Sequence, residues 1–291
     1  MAVASVASVR AHGSLARPLA HCCPVWSRCG MEASRGRPRT LALGIWLTTR
    51  GALVRASLVI TAVGALGCIA AALAARGTSM LAELPALASM GFTWGAGTTL
   101  AFGGALRALR LDRERGVIAL ARARGVSTAR YGGGRVGGLV AVLALAMGGG
   151  TLVAGLAATA VAGAEVHTVA RASVAAFVYA LAFAITLGPL AMAALGGRSR
   201  GGGYLALLAV LVLPELLAPW TGVLLPKGWR ELTSIPAALE AVRAGVQSAG
   251  PAVLHAARAV IALVAVVAAS LLLVHARVSF DVMRGDAAGD S

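Results

Sequence analysis

Charged residues are scarce in this chain. Asp, Glu, Lys and Arg make up 13% of its 291 residues, against roughly 25% in an average soluble domain. Lysine occurs once, at Lys227. Apolar runs of bilayer length take the place of charge, which excludes a soluble globular domain and points to an integral membrane protein. Cysteine is sparse too. Cys22, Cys23 and Cys29 lie in the N-terminal tail and Cys68 in an apolar run. No C-x-x-C occurs and the tail group lacks regular ligand spacing, so neither a metal site nor a disulfide framework is expected. No G-x-x-x-x-G-K-[ST] is present. The nearest stretch, GGRSRGGG at 196–203, lacks the lysine and follows no strand pattern, so the chain has no P-loop of its own for ATP. His167, His255 and His275 stand apart near the ends of apolar runs, and no Ser/His/Asp or Cys/His arrangement accompanies them. An enzyme is therefore not expected. Residues 1–30 contain no continuous apolar core and so do not read as a Sec signal peptide. Residues 1–38 read as a disordered extension, or as a stretch ahead of a true start at Met31.

What is abundant is arginine, and the formal net charge is +15. In a soluble protein that balance would suggest nucleic acid. Here the arginines flank the apolar runs, so membrane topology accounts for them and nucleic acid is not an expected partner. Six spans are drawn, at residues 53–75, 85–106, 136–163, 169–195, 204–225 and 257–274, each near the roughly 20 residues a bilayer requires. The expected fold class is all-α, a polytopic membrane protein with six transmembrane helices. Arginine crowds the segments before span one, between spans two and three, between four and five, and after six. The positive-inside rule then places both termini in the cytoplasm of a multi-pass inner-membrane protein. Ahead of span one, residues 39–52 carry Leu41, Ile45 and Trp46 at helical spacing between basic ends, as an interfacial amphipathic helix does. Gly91/Gly95, Gly133/Gly137 and Gly134/Gly138 have the small-xxx-small spacing that lets helices approach closely.

The loop at 107–135 is the most charged stretch. Its first part continues the second helix into DRERG, where Arg110/Glu114 and Asp112/Arg115 are spaced to pair across a turn. Gly116 breaks the helix. Val117, Ile118, Leu120 and Ala121 then form a short apolar stripe with Arg122 and Arg124 opposite. Gly125 breaks again, and Ser127 or Thr128 can cap the helix that enters span three through Tyr131 and Arg135. The loop is expected to hold a short amphipathic helix between two breaks.

This arrangement resembles the membrane subunits of type 2 ABC exporters, the ABC-2 permease family. Their loop between spans two and three reads as an acidic-Arg-Glu-x-Gly stretch, an apolar helix, then Pro or Val, Ser and a Tyr leading into span three. Asp112, Arg113, Glu114, Gly116, Val117, Ile118, Leu120, Val126, Ser127 and Tyr131 match it. Val126 stands where the family usually has proline. A second likeness lies at 224–245, where Pro226, Trp229, Leu232, Pro236, Ala238, Leu239, Ala241 and Arg243 fit the family's external re-entrant loop, expected at 226–254. The likeness covers residues 39–277. It implies that 116–124 is a coupling helix docking on a separate P-loop ATPase, which binds ATP and Mg and hydrolyses the ATP. It also implies a second permease subunit, identical or paralogous, and export. This chain itself would bind no cofactor.

Glu215 is the one acid well inside an expected span. A charge there is costly unless partnered, and a place on the translocation path is the functional reading. A neutral Glu, or one tied to backbone near Pro214 and Pro219, is the structural one. Two other classes remain open for the whole chain: a non-transporting membrane scaffold, and a secondary transporter, which would show paired ionisable groups or broken helices in matching halves.

Overall fold

Alanine and leucine, both strong helix formers, dominate runs with almost no polar interruption, and every regular element among the described residues is helical. The computed structural model describes residues 36–196, 200–218, 220, 230–248 and 251–289. Cys22, Cys23, Cys29, Met31, Pro226 and Trp229 lie outside them. The described residues from 38 onward form one compact unit.

The chain begins with α1 (Gly36–Thr49) and α2 (Ala52–Ala74). A continuous rod follows, made of α3 (Met80–Met90), a π-helical segment (Gly91–Gly97) and α4 (Thr98–Glu114). After α5 (Val117–Ala123), a second rod joins α6 (Thr128–Leu143), a π segment (Ala144–Gly148) and α7 (Gly149–Val161). Then come α8 (Val166–Leu195), α9 (Arg200–Leu216), the short α10 (Arg230–Thr233), α11 (Ile235–Gln247) and α12 (Pro251–Gly289). The two π segments pack on each other across the bundle.

Helix α8 is the centre. It packs against α3, α4, α6, α7, α9, α11 and α12, and Tyr179, Phe183 and Met192 on it are fully buried. Around it, α2 and α12 present broad apolar faces outward, with Val63, Leu66, Ile261 and Leu272 all exposed. Such faces are unstable in water and stable in lipid. Among the described residues, four helical stretches are long and apolar enough to cross a membrane: Ala52–Ala74, Thr128–Val161, Gly163–Leu195 and Ala252–Ser279. The other two expected spans fall on shorter or more polar helix. The second maps to the α3–α4 rod, whose Gly, Ser and Thr content lowers its hydropathy. The fifth maps to α9, which has 17 residues, with 221–225 outside the described residues.

The glycine spacings have distinct outcomes. A Cβ at Gly138 would lie 2.3 Å from the carbonyl carbon of Gly44, so backbone meets backbone where α1 lies across α6. Among the described residues, Gly91 and Gly95 have no neighbour within 4 Å of a Cβ.

Candidate functional site

The loop between α4 and α6 is built from its two breaks. Gly116 and Gly125 have φ of 65° and 73°, left-handed values that cost a side chain-bearing residue roughly 1–2 kcal/mol. Gly125 closes α5 in a Schellman arrangement. Its N–H donates to the Arg122 carbonyl at 2.8 Å, and the Val126 N–H donates to the Ala121 carbonyl at 3.0 Å. Proline at 126 could not make that second bond, so valine at this position has a local use. Ser127 caps α6, its hydroxyl accepting from the Arg130 N–H at 3.3 Å. Between these ends α5 buries no residue. Val117 and Ile118 are half-buried, Leu120 is 54% exposed, and Arg122 and Arg124 are exposed.

The root of the loop is as buried as its tip is open. Asp112 is 4% exposed and Arg135 5%. Arg135 Nε stands 2.7 Å from Asp112 Oδ2, and the Tyr131 hydroxyl donates to the same oxygen. Tyr131 and Arg135 share a face of α6, four residues apart, and both reach back to the end of α4. Asp112 therefore pairs across the loop, which corrects the expected Asp112/Arg115 pair. Arg115 is exposed and acts on Asp112 through its field alone. Burial pushes the Asp112 carboxyl above its usual range, and Arg135, the Tyr131 hydroxyl and Arg115 pull it down without cancelling the rise. The other expected pair is present: Arg110 Nε lies 2.6 Å from Glu114 Oε1 on the exposed face.

Arg113, a flank residue in the sequence reading, reaches another element. Its Nη1 donates to the Gly196 carbonyl at 3.1 Å. From the opposite side Arg277 donates to the Ala193 carbonyl and, at 3.4 Å, to that of Ala194. Two guanidinium groups thus cap the C-terminal carbonyls of α8, where positive charge suits the helix dipole. Through Arg113 and Asp112 the end of α4 is tied to α8 and to α6.

The second predicted region lies at the opposite ends of these helices. Glu215 is half-buried near the end of α9 and accepts from the Ser234 hydroxyl. Ser234 in turn accepts from the Ala237 N–H at 3.2 Å and caps α11. Pro236 occupies the first turn of that helix, where a missing N–H costs nothing. Ile235, Ala238, Leu239 and Val242 form its buried face, which packs on α8 and α12. Trp229 lies outside the described residues. Glu215 and α5 are not brought together.

Sequence reasoning missed Arg135 as a site residue, treating it as a topology charge. The signal was present: Asp112 stands among arginines, and Tyr131 and Arg135 are one helical turn apart. No group of three or more metal-ligating side chains comes together among the described residues. Comparison with protein families, curated proteins and solved structures gives no match to this chain.

Proposed function

We propose that the chain is the membrane-spanning permease subunit of an ATP-driven type 2 ABC exporter, coupled in trans to a separate P-loop ATPase. In this reading six helices cross the inner membrane, the α3–α4 rod and α9 being the second and fifth, and both termini face the cytoplasm. The observation that carries it is α5: a short helix, apolar on one stripe, held out between two left-handed glycines and rooted on a buried ion pair. A partner that pushes on α5 displaces α4 and α6, and through Arg113 the end of α8. Gly116, Val117, Ile118, Leu120, Arg122 and Arg124 form the contact. Asp112, Arg113, Glu114, Ser127 and Tyr131 hold it in place.

The mechanism is a shift of population between two arrangements of the spans. The ATPase with ATP bound has to favour one arrangement over the other, since equal affinity for both would move nothing. Two permease chains complete the transporter. We place Glu215, beside Ser234, on the translocation path, and α10 and α11 at the outer leaflet. The ATP and Mg belong to the partner.

Affinity purification of the tagged chain in mild detergent, with mass spectrometry of co-purifying proteins, tests this. A stoichiometric P-loop ATPase is expected with the wild type. It should be absent from the Val117→Asp/Ile118→Asp/Leu120→Asp variant, with membrane insertion unchanged. An undiminished ATPase in the variant would refute the coupling role. Its absence from a folded wild-type sample would favour a scaffold or a secondary transporter.

A further inference from the structure

A cavity of about 170 Å³ opens where the end of α1, the end of α4, the start of α5 and Arg135 meet. Four charged side chains line it: Arg50, Arg115, Arg135 and Asp112. Three cations face one acid, and that acid is already engaged by Arg135 and Tyr131. Arg135 is 5% exposed, and its Nη1 has no hydrogen-bond partner among the described residues. A buried guanidinium N–H left without an acceptor is costly, so the site is short of a negatively charged acceptor. Neither Arg50 nor Arg115 is in an ion pair among the described residues. Arg50 instead lies over the Trp46 ring, 4.0 Å from its centroid.

Size and position narrow the ligand. At about 30 Å³ per water, the space holds one tetrahedral oxyanion with a few waters. Guanidinium forks match phosphate oxygens, two N–H groups to two oxygens. The cavity lies just ahead of Ala52 and beside α6, where two membrane-crossing helices begin. Trp46 and Leu53, both at least half exposed, stand next to it, as side chains at headgroup level do.

We propose that Arg50, Arg115 and Arg135 bind a single phosphate group, supplied by an anionic phospholipid of the adjoining leaflet. The bound phosphate supplies the acceptor that Arg135 lacks and bridges α1 to the root of the α5 loop. This site is independent of the permease reading, and its test requires no ATPase.

Native mass spectrometry of the full-length chain in detergent, titrated separately with phosphatidylglycerol, phosphatidylcholine and inorganic phosphate, decides it. Wild type should retain one phosphatidylglycerol in preference to phosphatidylcholine. Arg50→Gln/Arg115→Gln should weaken that retention at least about tenfold, the size of one charge-assisted hydrogen bond. Arg50→Lys/Arg115→Lys, which keeps the charge and loses the forks, should restore only part of it, and Arg130→Gln, outside the cavity, should leave it unchanged. Inorganic phosphate binding with the same arginine dependence, and no lipid preference, would support the phosphate site and assign it a soluble source. Equal retention of phosphatidylglycerol by wild type and the glutamine variant, with no phosphate binding, would overturn the proposal.

Discussion

Asp112 accepts a hydrogen bond from the Tyr131 hydroxyl and faces Arg135 across 2.7 Å while almost wholly buried. Breaking such a pair from one side leaves the other charge stranded and costs about 3–5 kcal/mol. Asp112→Ala should therefore destabilise the protein far more than Tyr131→Phe, which removes one hydrogen bond and leaves the ion pair, at about 1–3 kcal/mol. Chemical or thermal unfolding in a fixed detergent measures both. A pH dependence follows from the same residue. The Asp112 carboxyl is raised from its ordinary value of 3.8 by burial, so the folded chain holds this proton more tightly than the unfolded chain. Its contribution to stability is complete below pH 3.8 and is lost as pH rises through the folded value. The unfolding free energy of wild type should fall with pH across that window, and the fall should be smaller in Asp112→Asn. Equal slopes would contradict the assignment.

At the scale of elements, α5 and α1 depend on glycine for different reasons. Gly125→Ala forces a side chain into φ of 73° and Val126→Pro deletes the bond to Ala121. Each should loosen α5 by about 1–2 kcal/mol, seen as faster amide exchange from 117 to 126 with little change in global unfolding. Gly138→Val places atoms inside the backbone of α1 and should detach that helix, exposing the 44–50 region to protease. Much of the α5 loop was legible in sequence. Two glycines, a serine cap and an apolar stripe are local signals, and local signals fix local structure. The Asp112–Arg135 pair was not, because 23 positions separate the partners and only the docking of α6 on α4 joins them. Glu215 shows the same limit. Its isolation inside an apolar run was plain, but Ser234 as its donor depends on how α11 folds back. Arg113 and Arg277 on the end of α8 are a third case, as helix ends take caps from any neighbour that reaches them.

At the scale of the molecule, four helical stretches among the described residues meet the length and apolarity of a membrane span, and the exposed faces of α2, α9 and α12 require lipid or another chain around them. The arginine-rich side gathers α5, the Asp112 cluster and the α8 caps, so any force applied to α5 enters the bundle at a rigid junction. Under the permease reading proposed above, that junction would be the place where an ATPase contact acts. The most direct test is a photo-crosslinking side chain at position 120 of the full-length chain in cells, with position 130 as an exposed control. The account predicts an adduct with a P-loop ATPase from position 120 and none from position 130. No ATPase adduct from position 120, in protein that is inserted and folded, would contradict it.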